Sequence, residues 1–185
     1  MFEKAVGDGV TITPLEVWHA QEFADHLDRA REHIRPWVGP RFVTDTVDDA
    51  RSTLRRYATA TAEDGARIYG LWDGGAIVGG VMFVAFDPVW GICEIGGWLE
   101  PGAVGRGLMS RSVDMLMQWA FEERGMARVE WRCRTDNDRS IATARRLGMR
   151  SEGVLRSSWV FEGRRYDKEV FALLRDEWAA RRTGA

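Results

Sequence analysis

Three glycines, Gly102, Gly105 and Gly107, crowd into LEPGAVGRGLMSRS, residues 99–112, just ahead of a segment patterned as a helix. Glycine is placed where the backbone needs angles that other residues avoid, or where a ligand must approach bare peptide. A glycine turn leading from a strand into a helix offers unpaired N–H groups at the positive end of the helix dipole. That chemistry suits a phosphate and needs few cationic side chains. Two familiar phosphate motifs do not fit. A P-loop ends in Gly-Lys-Ser/Thr, and no lysine follows these glycines. A dinucleotide fingerprint asks for glycine where Ser110 stands, inside an opening βαβ unit. The turn is therefore either a plain strand-to-helix connection or a seat for an anion of another kind.

His19, His26 and His33 recur every seven residues and fall along one helical stripe. Seven residues rise ~10.5 Å along a helix, too far for one ion with ligands at about 2 Å. No metal is expected, and the stripe reads as a solvated or acceptor-lining face. A formal net charge of −2 gives no general attraction for polyanions, so direct nucleic-acid binding is not expected. Two cysteines, Cys93 and Cys133, are too few for a disulfide framework and read as reduced thiols of a cytoplasmic protein. The start, MFEKAVGDGVTITP, lacks the apolar run of a secretory signal, and no stretch reaches the ~18 apolar residues of a membrane span. At 185 residues, 45% of them hydrophobic, the chain reads as one domain, 1–185, with a sizeable core. Its nine tryptophans read as an aromatic-rich core and groove.

These residues must be positioned by elements whose patterning is plain. VTITPLE predicts a short strand running into a helix capped by Thr13, with Pro14 in the first helical position and the helix stopping before Pro36. A second helix spans TVDDARSTLRRYATATAEDG and ends at Gly65. The period then changes. ARIYGLWDGGAIVGGVMFVAF predicts a hairpin turning at 73–75, and WGICEIGGWLE a further strand ended by Pro101. GLMSRSVDMLMQWAFEERG is amphipathic and closed by Gly125. A strand, ARVEWRCR, a short helix, SIATARRLG, and a last hairpin turning at Glu162 and Gly163 complete the order β-α-α-β-β-β-α-β-α-β-β. That order describes a mixed sheet covered by helices.

Set in this order, the glycine loop resembles the acetyl-CoA pyrophosphate loop of the GNAT acyltransferases, Gln/Arg-x-x-Gly-x-Gly/Ala after the fourth strand. Val104 stands in the Gln/Arg place, Gly107 in the invariant glycine place and Met109 in the final small-residue place. The last is similar to the RimJ/RimL-like (ribosomal-protein N-acetyltransferase) branch. EIGGWLEP is similar to the strand before the loop in that branch, and HIRPWVGP to its first helix–loop junction. TDNDRSIATARRLGMRSEGVLR is similar to its Asn-x-x-Ser…Leu-Gly-Phe…Glu-Gly segment, with Met149 in the aromatic place, and LLRDEW to its ending. The match runs in order over nearly the whole chain.

The resemblance implies an α/β (α+β) fold: a mixed, largely antiparallel seven-stranded sheet with helices on both faces. Its fourth and fifth strands, here ICEIGGWLE and RVEWRCR, would splay into a cleft. It implies acetyl-CoA as co-substrate, with a succinyl donor also open, and direct transfer to a primary amine, foremost a protein or peptide N-terminal α-amine. An acetyltransferase of a small amine or antibiotic, and a catalytically silent CoA-binding module, stand as alternatives. A homodimer is compatible with the family.

In that frame Trp98 and Leu99 pair with the pantetheine amides, as in strand addition. The backbone of Val104, Gly105, Arg106, Gly107, Leu108, Met109 and Ser110 cradles the pyrophosphate, and Asn137 holds the pantetheine arm. An amine must be neutral to attack, so a base is useful. Glu94 is the candidate, sharing a strand face with Trp98 and with Gly96, whose small size leaves space beside it; the other reading is a solvated or salt-bridged carboxylate. Many family members meet the leaving thiolate with a tyrosine seven residues after the asparagine, but Ala144 stands there. Ser140 is then the candidate, against the alternative that Asp138 or Ser140 only caps the next helix. Cys133, on one strand face with Val129 and Trp131, invites an acyl-cysteine route, yet no His–Asp partner pattern accompanies it and direct transfer is favoured. Arg145 and Arg146 are candidates for the nucleotide 3′-phosphate or are solvated surface. HIRPWVGPRF and the FEGRRY turn flank the acceptor cleft, where Arg35, Trp37 and Arg164, with Arg165, favour an anionic acceptor or serve solubility alone.

Overall fold

The computed structural model describes residues 3–39 and 42–183. Where the sequence predicts seven strands, the described residues form eight: β1 (Lys4–Gly7), β2 (Val10–Pro14), β3 (Arg67–Asp73), β4 (Ala76–Asp87), β5 (Ile92–Leu99), β6 (Arg128–Arg134), β7 (Arg150–Phe161) and β8 (Arg164–Leu174). They form one sheet in the order β1-β2-β3-β4-β5-β6-β8-β7. The added strand is β1, in which only Val6 is buried, so no alternation announces it. Five α-helices are found among the described residues: α1 (Ala20–Ile34), α2 (Val47–Ala62), α3 (Leu108–Gln118), α4 (Asp138–Arg146) and α5 (Arg175–Thr183). The last is also absent from the sequence reading. No helix among the described residues is long and apolar enough to cross a membrane.

Local chemistry corrects two helix ends. β2 continues through Pro14, so Thr13 caps nothing. Glu16 instead caps a short 3-10 turn, Val17–His19, and its N–H donates to His19 Nδ1 at 3.0 Å. α3 stops at Gln118 and widens into a π-helical turn, Trp119–Glu123. α2 starts as expected from its sequence, with Thr46 Oγ1 accepting the Asp49 N–H at 3.1 Å.

The sheet divides two cores. α1 and α2 pack Phe23, Leu27 and Leu54 onto one face against Ile68, Met82 and Trp98. α3, α4 and α5 pack Leu108, Leu116, Ile141 and Trp178 onto the other against Phe83, Ile95 and Phe171. Fully burying such a side chain contributes roughly 1.5–3 kcal/mol, so these apolar stripes, rather than helix propensity, hold the layers.

Every neighbouring strand pair is antiparallel except β5 and β6. Their parallel ladder has three pairs: Ile92 with Arg128, Cys93 with Val129 and Glu94 with Glu130. Beyond Glu94 and Glu130 the strands part, and Ile95–Leu99 pairs only with β4. Val84 is the extra residue of a β4 bulge at this point, opposite Ile95 and Glu94. A bulge bends its strand and strengthens the local twist, so the sheet opens where the ladder ends. This fork is the cleft expected between the family's fourth and fifth strands.

Candidate active site

The loop entering α3 is bare backbone. Val104 N–H donates to Pro101 O at 3.3 Å, so its amide is already engaged, unlike those of the other residues read as a cradle. From Gly105 to Ser110, no backbone N–H meets an acceptor among the described residues, and α3 makes its first bond from Arg111 N–H to Gly107 O at 3.2 Å. Gly105 and Gly107 have φ of 86° and 71°, and Gly107 is the helix N-cap with no side chain to satisfy the turn. Six unpaired donors thus lie in and just ahead of the first turn of a helix, the kind of terminus that binds phosphate.

Side chains around the loop brace it from behind. Arg106 turns away to Asp73 at 2.7 Å and to the Asp8 carbonyl at 3.0 Å, so only its backbone faces the cradle. Arg111 donates to Val6 O at 2.7 Å and to Asp8 at 2.8 Å. Leu108 is fully buried, and Met109 lies so close over Gly97 that a Cβ there would sit 2.6 Å from its sulfur. Ser110 Oγ accepts from Arg146 at 3.0 Å, which sets that guanidinium beside the cradle.

The fork gives each face of the sheet its own set of residues. On the α3–α4 face, Trp131 and Cys133 of β6 lie beneath α4. Asn137 caps α4, its Oδ1 accepting the Ser140 N–H at 3.1 Å, so the cap is neither Asp138 nor Ser140. Ser140 Oγ accepts from Trp131 Nε1 at 2.8 Å. Its oxygen is held by the indole, and its own proton faces the neighbouring Cys133 sulfur. The sequence does not announce this bond, although Trp131 sits on the alternating apolar side of β6. Burial pushes the Cys133 thiol up, and a hydrogen bond with Ser140 only partly offsets that, so Cys133 is a poor nucleophile.

Glu94 lies on the opposite face, where the ladder ends. Its carboxylate is 3.5 Å from Arg132, which also pairs with Glu130 at 2.7 Å. Burial pushes the Glu94 carboxyl above the ordinary range, against the pull of Arg132 and Lys168, and Glu130 adds to the push. Such a group is both an ion-pair member and a stronger base than a free carboxylate. The space expected beside it is not open, because a Cβ on Gly96 would lie 3.0 Å from Val84. Trp98 shares this face but sends its indole into the α1–α2 core, edge-on to Phe42 at 4.7 Å, with Nε1 donating to His26 Nε2 at 2.9 Å. The indole is thus committed to that core, while the Trp98 and Leu99 backbones have no β6 partner. His26 is fully buried, not on a solvated or acceptor-lining face, and burial with Arg29 nearby lowers its pKa to about 4. It is a neutral support for Trp98. No three histidine, cysteine or carboxylate side chains gather as for a metal ion among the described residues.

The acceptor flanks meet through a residue that sequence reasoning missed. Arg134, nearly buried, lies 3.6 Å over the Tyr166 ring and 4.8 Å from that of Trp37, donates to Pro36 O at 3.1 Å and pairs with Asp136 at 2.5 Å. It ties the α1 exit to β8. Arg35 reaches Glu162 at 3.8 Å and lies over Phe161, whereas Arg164 stands exposed at the start of β8 and joins none of these groups. Arg165 donates to Ser157 O at 3.0 Å. Pro40 and Arg41 of the expected flank fall outside the described residues. A recess of about 330 Å³ is lined by α2 and residues 43–45, and another of about 460 Å³ by α1 and residues 44–47; neither is lined by β5 or β6.

The family model described as acetyltransferase (GNAT) domain matches residues 10–150. The chain belongs to the GNAT acetyltransferase family. Among its relatives, YdaF of Bacillus subtilis (strain 168) is 26% identical over 183 residues, 96% of this chain and 98% of that protein. The ribosomal-protein-serine acetyltransferase of Escherichia coli (strain K12) is 25% identical over 137 residues, 74% and 76% of the two chains. RimL, a ribosomal L7/L12 alpha-N-protein acetyltransferase solved with coenzyme A, shares the fold with a TM-score of 0.87 at 22% identity, over 95% of this chain and 99% of that one. MccE, a microcin C7 self immunity acetyltransferase solved with acetyl-CoA and AMP, matches with a TM-score of 0.82 at 25% identity, over 91% and 94%. This GNAT chain is thus an acetyltransferase with ribosomal-protein acetyltransferases among its homologues.

Proposed function

We propose that this GNAT protein, acting as a single cytoplasmic domain, transfers an acetyl group from acetyl-CoA directly to a primary amine, foremost the N-terminal α-amine of a protein or peptide. One observation carries the reading. The β5–β6 ladder ends at Glu94, and the loop that follows β5 leaves six amides, Gly105–Ser110, unpaired among the described residues. The amides would take the pyrophosphate, with Arg146 beside them. The free edge of Ile95–Leu99 would pair with the pantetheine amides, and the Asn137 side-chain NH₂ would hold the arm.

Acetyl-CoA supplies an activated thioester carbonyl carbon. Glu94 takes the proton that the amine sheds as its nitrogen bonds to that carbon, and the raised basicity of its carboxyl suits the task. When the carbon–sulfur bond breaks, Ser140 turns its hydroxyl proton toward the departing thiolate, its oxygen held by Trp131. The high pKa of Cys133 supports transfer without an acyl-cysteine. The ribosomal-protein-serine acetyltransferase of E. coli supports a protein α-amine. MccE, with its AMP, supports the second reading, a small amine, for which Trp37 presents a 40% exposed ring at the cleft.

Calorimetric titration with acetyl-CoA, CoA and succinyl-CoA, followed by thiol release over peptide and small-amine panels, tests this. Micromolar binding with release on a peptide α-amine is expected. Binding without release on any amine selects a silent CoA-binding module, and absence of binding removes the reading.

A further inference from the structure

Around the fork, cations are matched to carboxylates almost throughout. Arg128 pairs with Glu130 at 2.7 Å and Glu152 at 2.5 Å, Arg132 with Glu130 and Glu94, Arg134 with Asp136, and Arg35 with Glu162. Lys168, like Arg146 and Arg164, has no such pair among the described residues. It lies on β8, in register with Arg134 of β6, on the face that carries Glu94. No carboxylate comes within 4 Å of its ammonium, and no hydrogen-bond acceptor meets it among the described residues. Its ammonium sits 4.2 Å over the ring of Trp159, the β7 residue that follows the strand's bulge and stands opposite Tyr166. The Trp159 Nε1 is buried and has no acceptor among the described residues.

Two donors, one charged and one neutral, thus share a half-buried corner with no hydrogen-bond acceptor among the described residues, the ammonium feeling Glu94 only from beyond 4 Å. An unpaired buried N–H costs about 1–3 kcal/mol, and a partly desolvated ammonium costs more unless an anion compensates it. The ring quadrupole holds the ammonium in place without neutralising it. A carboxylate or phosphate at the edge of the indole would satisfy both. The corner also lies close enough to the fork for the Lys168 charge to act on Glu94.

We infer that Lys168 and Trp159 form an anion subsite that selects acceptors carrying a carboxylate or phosphate a few bonds from the amine. This rests on the amine-acetylation reading and narrows it. With the amine at Glu94 and the acid at Lys168, the substrate is held at two points, which fixes the attacking nitrogen. An acidic peptide N-terminus and a small aminoalkyl phosphate present the same chemistry.

The test uses the full chain saturated with CoA and matched probes: a Ser-Asp peptide against its Ser-Asn twin, and aminoethyl phosphate against ethanolamine. Calorimetry should show the anionic member of at least one pair binding ten times more tightly or better, and the pair that responds identifies the source of the anion. Lys168→Met should bring that ratio within twofold while leaving acetyl-CoA affinity unchanged. Trp159→Phe, which keeps the ring and removes the donor, should weaken the anionic probe about threefold to tenfold. Equal binding of both members of both pairs in the wild type, or a preference that survives Lys168→Met, overturns the subsite. Thiol release from acetyl-CoA separates the two readings. Preference without release on the favoured probe keeps the subsite and overturns the catalytic reading. Release without preference does the reverse.

Discussion

The two ends of the fork are built by different means. The cradle at Gly105–Ser110 is backbone: its donors are amides, and its shape depends on two positive-φ glycines and the absence of Cβ atoms. The Glu94 end is side chains: Arg128, Glu130, Arg132, Glu94 and Lys168 share charge across β5, β6 and β8. A backbone site fails abruptly when one Cβ blocks it, and it tolerates change in neighbouring side chains. A charge network degrades in steps, and its composition sets what it recognises.

Substitutions at each end sharpen this contrast. Gly107→Trp carries the largest effect. It combines a strained φ with a side chain that starts 2.8 Å from Arg111, and it should abolish acetyl-CoA binding by calorimetry. Residual micromolar affinity would show that the loop is only a turn. Glu94→Gln comes next and belongs to the other end: kcat should fall about 10²- to 10³-fold with acetyl-CoA affinity intact. The base must be ionised, and its pKa is raised, so the wild-type rate climbs with pH through a limb above the usual carboxylate range. A Glu94→Gln enzyme that kept that limb would remove Glu94 as the base.

Ser140→Ala should be milder, because a CoA thiolate is already a good leaving group; kcat is expected to fall about tenfold, less than the loss of a full general acid. The same change leaves Trp131 Nε1 without its acceptor and should lower stability by about 1–3 kcal/mol, read from denaturant unfolding. Full activity with the stability loss would leave Ser140 a purely structural partner. Val104→Arg has the smallest effect and the opposite sign. It places a cation at the 38% exposed rim of a loop whose proposed phosphate contacts are backbone amides, so acetyl-CoA affinity should rise about twofold to fivefold and the gain should fade with salt. A gain of a hundredfold would mean that the backbone cradle is crippled as it stands.

The backbone half of the site is legible in the sequence, and much of the side-chain half is not. Gly105 and Gly107 announce positive φ at a helix start, and the alternation of Val129, Trp131 and Cys133 announces a strand with one buried face. Glu94 can be assigned to the strand face it occupies by counting in twos. Counting cannot reveal that Val84 bulges out of β4 to cover Gly96, because a bulge changes register without changing residue type. His26 reads as one of a solvated stripe, but seven-residue spacing does not say which face of α1 meets Trp98. Lys168, Trp159 and Arg134 come together only through the pairing of β8 with β6 and β7, and the β6 partner lies far from β8 along the chain. β1 escapes because one buried residue in four makes no period.

The three rungs joining β5 to β6 have a mechanical consequence. They are the seam between a five-stranded panel, β1–β5, and a three-stranded one, β6–β8, and along the rest of that seam no ladder between the two strands resists separation. The sheet is therefore held least at the line where the proposed acyl-CoA would lie. A pantetheine arm lying in the gap would act as a missing strand, stitching the panels together and lending the protein rigidity that its own chain does not provide.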